Sequence, residues 1–114
     1  MNLEEIKKAN DYQKAHLNLA QHALDKNFSI TVRYSLYEDE GCNKSTDYKT
    51  IKEAVEAVDE SYMLFYDSEN VKRGWAFIVL GNNDWELVSD YSVSKWLDEW
   101  SSKFETLHEE LGTN

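Results

Sequence analysis

The chain predicts an α+β fold of order αββαβββα, an antiparallel sheet with helices packed on one face. Three features carry this. Residues 28–37 alternate cleanly between apolar and polar, three later apolar runs follow one another across short turns, and residues 93–111 hold an apolar stripe at helical spacing. The 114 residues suit one domain, with 41% hydrophobic and 13% aromatic residues giving enough apolar surface for one core. Nothing in 1–114 resembles a linker or a repeat, and the chain has no Pro and only four Gly.

Leu3 to Lys26 reads as the first helix: Leu17, Ala20, Ala23 and Leu24 recur at helical spacing, with Leu3, Ile6, Ala9 and Tyr12 a looser continuation, and Asn27 as the stop. Phe28 to Tyr37 is a strand with Phe28, Ile30, Val32, Tyr34 and Leu36 on the buried face. Glu38-Asp39-Glu40-Gly41 is expected as a turn and Asn43 to Lys49 as a short returning strand. Thr50 and Glu53 then fit a capping box that opens a helix running to about Asp59, with Ile51, Ala54, Val55 and Val58 on its apolar side.

Tyr62 to Asp67 and Gly74 to Leu80 read as a hairpin across Ser68 to Arg73. Gly81-Asn82-Asn83 marks a turn into a last strand, Trp85 to Val88. In the final helix Val93, Trp96, Leu97, Trp100, Phe104, Leu107 and Leu111 form one stripe, with Ser92 or Ser94 as its cap.

Acids outnumber bases 22 to 12, for a net charge of -10. Direct nucleic-acid binding requires a basic footprint, and no basic run exists here; an anionic membrane surface is disfavoured for the same reason. The first residues lack the basic-then-apolar pattern of a signal peptide, and the longest strongly apolar run, Trp75 to Leu80, is far too short to cross a bilayer, so a cytoplasmic protein is expected.

No catalytic, cofactor or metal site is expected. His16 and His22 lie six residues apart, roughly 120° apart around a helix, where a helical ligand pair needs a shared face. They read as solvated or partly buried histidines, and His108 is distant in sequence. Cys42 is the single cysteine, which excludes an internal disulfide; its acidic loop raises a thiol pKa, the wrong direction for a nucleophile. No phosphate loop, nucleophile elbow or dinucleotide fingerprint is present.

The acidic clusters have two readings. Glu38, Asp39 and Glu40 lie in a loop, while Glu53, Glu56, Glu105 and Glu109 lie on outer helix faces. Either they are a solvated surface that keeps a small protein soluble, or they align as a column of carboxylates that mimics duplex DNA and fits a basic groove on a protein partner. Trp96 and Trp100 belong to the core stripe. Trp75, at a strand start, and Trp85, after a turn, are candidates for an exposed anchor of a partner or homodimer surface.

The segment Tyr12-Gln-Lys-Ala-His-Leu-Asn-Leu-Ala-Gln-His-Ala-Leu leading into Phe28-Ser-Ile-Thr-Val resembles the opening of small acidic proteins encoded by tailed bacteriophages. Gly74-Trp-Ala-Phe-Ile-Val-Leu and Val88-Ser-Asp-Tyr-Ser resemble their later portion. This likeness implies an accessory or host-takeover role. Met63, Leu64, Trp75 and Ala76 are spaced as in one hairpin of the phage uracil-DNA glycosylase inhibitors, acidic DNA mimics. The sequence thus leads to a non-enzymatic inhibitor of a nucleic-acid-acting enzyme, with an accessory module that binds through an aromatic patch as the alternative.

Overall fold

The computed structural model describes residues 13–34, 40–82 and 87–112, and for residue 40 and residues 107–112 the backbone alone. The described elements are α1 (Ala15–Asp25), β1 (Ser29–Arg33), β2 (Glu40–Ser45), α2 (Tyr48–Glu56), β3 (Glu60–Tyr66), β4 (Lys72–Val79), β5 (Val88–Tyr91) and α3 (Lys95–Gly112). Their order, αββαβββα, is the expected one, and every strand pairing is antiparallel. The sheet runs β2-β1-β3-β4-β5, so a β1–β2 hairpin and a β3–β4–β5 meander join along β1 and β3.

Period-two alternation decides which face the helices cover. Ile30 and Val32 of β1, Met63 and Phe65 of β3, Ala76 and Ile78 of β4 and Val88 of β5 point to one side. There they meet Ala15, Leu19, Ala20 and Ala23 of α1, Ile51, Ala54 and Val55 of α2, and Leu97, Trp100 and Phe104 of α3. Burying each large aliphatic or aromatic side chain here contributes roughly 1.5–3 kcal/mol. The helix α1 contacts both α2 and α3 and lies between them.

Local chemistry sets the element ends. Asn27 stops α1 as expected: it takes φ 65°, the left-handed conformation that Asn tolerates, while Phe28 N–H reaches back to Ala23 O. The cap of α2 differs from expectation. Asp47, not Thr50, is the N-cap; its carboxylate accepts from Thr50 N–H at 3.1 Å and Thr50 Oγ1 at 2.6 Å, and Glu53 lies in the helix interior. An ionised carboxylate competes better than a hydroxyl for the exposed amides of a helix start, so the helix begins three residues earlier. It also ends at Glu56, short of Asp59.

Three other boundaries move. Glu40 and Gly41 belong to β2 rather than to a turn, and β2 ends at Ser45. The last strand is Val88–Tyr91. Val93 precedes α3 and is 98% exposed, so it lies off the apolar stripe. The expected portions at Leu3 to Tyr12, Leu36 and Tyr37, and the side chains of Leu107 and Leu111, fall outside the described residues.

Candidate interaction face

With three helices on one side of the sheet, the other side carries the opposite parity of each strand, and no described helix lies on it. Here β3 presents Tyr62, Leu64 and Tyr66, and β4 presents Trp75, Phe77 and Val79. The pairing aligns them in rows across the sheet. Arg33 lies beside Tyr62, Tyr62 beside Phe77, and Phe77 beside Asp90; Thr31 lies beside Leu64, and Leu64 beside Trp75. Tyr62 and Phe77 stack with ring centroids 4.8 Å apart, and Trp75 meets Tyr62 edge-on at 6.3 Å. At the next corner Lys44 Nζ sits 4.6 Å over the Tyr66 ring, a cation–π contact. Tyr62, Tyr66, Trp75, Phe77 and Val79 are all half-buried, and Leu64 is enclosed among them.

Five strands about 4.8 Å apart and roughly five residues long give this face a footprint of roughly 400 Å². Its apolar side chains gather on two of those strands, β3 and β4, and so cover less than half of it; a contiguous cluster of this kind is a candidate interaction surface. Trp75, expected as an anchor, lies on it. Tyr62, Leu64, Tyr66 and Phe77 were not among the partner-binding candidates read from the sequence. Their signal was the unbroken run Tyr62 to Tyr66, which is apolar on both parities and so asks for cover on both faces of the strand.

The acidic candidates are dispersed by comparison. Glu53 is exposed on α2 and Glu105 on α3, with α1 between the two helices. Glu56, expected as a free outer carboxylate, instead has Oε2 3.2 Å from His16 Nε2. Between the end of α1 and the starts of β4 and α3, an open cleft of about 570 Å³ gathers Lys26, Lys72, Arg73 and Lys95 around Trp96, with Glu99. Four of the twelve basic side chains therefore interrupt the acidic surface at that corner. Glu38, Asp39 and Trp85 lie outside the described residues, as do the side chains of Glu40 and Glu109.

The titratable groups have structural surroundings. His16 is not solvated or partly buried as expected: it is 2% exposed and joins α1 to α2 through Glu56. His22 stacks on Trp96 with ring centroids 6.2 Å apart. Burial lowers its pKa below the usual 6.5, and Lys26 and Lys103 lower it further against the opposing pull of Asp25 and Glu99. Cys42 is half-buried, with Sγ 3.7 Å from Ile30 O. Among the described residues no group of three or more His, Cys, Asp or Glu side chains is placed to hold a metal ion, and no helix is long and apolar enough to cross a membrane. No protein-family model, curated protein or solved structure matches the chain.

Proposed function

We propose that this chain is a non-enzymatic, cytoplasmic binding module that engages a protein partner through the aromatic open face of its sheet. The observation that carries the reading is the row Tyr62–Phe77 with Leu64 and Trp75 beside it, on the side of the sheet opposite all three described helices. Aromatic side chains lose few rotamers on docking and bring large apolar area, which suits them to anchor an interface. The titratable residues support a module without chemistry, since His16, His22 and Cys42 are dispersed and engaged in packing or hydrogen bonds.

The test is a pull-down from bacterial lysate at low and high salt, comparing wild type with Trp75→Ala and with Phe77→Lys. Bound protein that persists at high salt and is lost in both variants supports the reading. Capture that both folded variants retain removes it.

The second proposal is inhibition of a nucleic-acid-acting enzyme by DNA-like charge, in the manner of the phage proteins the sequence resembles. Glu53 and Glu105 favour it, since both are exposed on the helical side of the molecule. Competition between this protein and duplex DNA for the captured enzyme, sensitive to Glu53→Lys and Glu105→Lys, is its expected signature. Capture unaffected by DNA removes it.

A further inference from the structure

We infer that the occupant of the aromatic face is a second copy of this chain, packed face to face about a two-fold axis that runs along the strands between β3 and β4. This rests on the reading of the open face as the binding surface and names its partner.

The argument is one of self-complementarity. A two-fold contact sets each surface position against its symmetry mate, so the patch must match itself. On this sheet a rotation about a line between β3 and β4 exchanges those two strands and exchanges β1 with β5. Tyr62 then faces Phe77 of the second copy, and Leu64 faces Trp75.

The ends of the aromatic row supply the charge complementarity. Arg33 lies at the β1 end of the row and Asp90 at the β5 end. The same rotation places Arg33 of each copy against Asp90 of the other, giving two opposite-charge contacts at the rim of an apolar centre. A guanidinium has five donors in a fixed fork, so Arg33 can keep its contacts within the chain and still meet the carboxylate. A two-fold axis across the strands along the row Arg33–Tyr62–Phe77–Asp90 would instead set Arg33 of one copy against Arg33 of the other. The charges therefore favour the axis along the strands over that one. In it the strands of the two sheets are near-aligned, the usual geometry for stacked sheets. Even the whole sheet face, roughly 400 Å² on each copy and so about 800 Å² in total, falls below the range of stable complexes, so the dimer is expected to be weak and concentration-dependent.

The experiment is sedimentation velocity on the purified full chain over a range of concentrations up to the solubility limit, with thermal melts to confirm that each variant is folded. Wild type should pass from monomer to dimer mass, and Phe77→Lys should remain monomeric. Arg33→Asp and Asp90→Arg alone should each weaken association at least tenfold. Their equimolar mixture should associate more tightly than either alone, because each like-charge contact becomes an opposite one. A wild type that is monomeric throughout overturns the inference, as does a mixture that associates no better than its components. If the pure chain is monomeric while Phe77→Lys abolishes capture of a different protein, the second copy falls and the binding face stands. If a dimer forms and Phe77→Lys leaves it intact, the open face is not the dimer surface and the inference falls.

Discussion

Trp100 of α3 donates its indole N–H to Asn18 Oδ1 of α1 at 2.9 Å, joining two helices across 82 positions of chain. The ring is 4% exposed, stacks on Phe104 at 5.7 Å and meets Tyr91 edge-on at 6.3 Å. Its polar atom is thus satisfied by a side-chain acceptor of the neighbouring helix, while the rest of the ring fills the core.

Replacing Trp100 with Ala removes both roles and should cost about 3–5 kcal/mol, the range for a buried large aromatic. Trp100→Phe keeps most of the ring but leaves the Asn18 acceptor without its donor, and should cost less. Chemical denaturation of the three proteins measures this. Equal midpoints for wild type and Trp100→Ala would contradict the packing.

How much of this was legible follows from particular residues. Strand β1 was readable because Ile30 and Val32 alternate strictly with Ser29, Thr31 and Arg33, and only one parity is apolar. The core side of α3 was readable because Trp96, Leu97, Trp100 and Phe104 share one face. Val93 fits the same spacing, but periodicity does not register where the chain enters a helix, and α3 begins only at Lys95. For α2 the sequence offers two capping residues three apart, Asp47 and Thr50, and local pattern alone favours the one followed by a Glu. The open face was hidden for another reason. In β3 both parities are apolar, so the sequence does not distinguish the side the helices take from the side they leave.

Gly74 is held in place by its neighbours. It has φ +147°, which L side chains rarely adopt, and an added Cβ would meet Ser92 Oγ at 2.8 Å and Leu97 Cδ1 at 3.0 Å. Ser92 Oγ also accepts the Trp75 N–H, so displacing it disturbs the strand that carries the open face. Gly74→Ala should destabilise by about 1–3 kcal/mol, combining backbone strain with overcrowding. A melting temperature equal to wild type would show that the backbone at this position is relaxed.

His16 and Glu56 make a test of a different kind, because the sequence reads the first as a solvated or partly buried histidine and the second as a carboxylate on an outer helix face. Since His16 is 2% exposed and its Nε2 lies 3.2 Å from Glu56, His16→Ala opens a cavity and strips the carboxylate of a partner. The loss should be about 2–3 kcal/mol. His22→Ala, at a half-buried ring, should cost less. Urea titrations that rank the two in the opposite order would refute the assignment.

The stacked His22 also predicts a pH dependence. Its folded pKa lies below 6.5, chiefly through burial and then through Lys26 and Lys103, with Asp25 and Glu99 pulling the other way. As pH falls through 6.5 the unfolded chain takes up this proton before the folded one does. Protonation therefore favours the unfolded state, and stability declines with falling pH until the folded group also titrates. Above about pH 7.5 the effect vanishes, since His22 is then neutral in both states. His22→Phe keeps an aromatic partner for Trp96 and removes the titration. The stability difference between wild type and His22→Phe should thus shift in favour of the variant between about pH 7 and about pH 5. A difference that stays constant over that interval would rule out a lowered His22 pKa.

The two faces of the molecule allow charge and apolar burial to be separated by mutation. Reversing Glu53 and Glu105 to Lys changes exposed positions on α2 and α3 and leaves the open face intact. Glu56 must stay in this test, because its carboxylate holds His16 and its reversal would confound binding with stability. If the aromatic face carries binding, the double reversal should change affinity by less than about threefold, in line with the modest energies of exposed charge contacts. Trp75→Ala should weaken it by more than tenfold, as expected for a central aromatic anchor. Affinity should also hold at 1 M salt, where screening shortens to about 3 Å but apolar burial is unaffected. The opposite pattern, binding abolished by the double reversal and by salt yet indifferent to Trp75→Ala, would transfer the function to the acidic helical side. Calorimetry of the four combinations with one purified partner decides between them, because the two surfaces lie on opposite sides of the sheet and their contributions should add.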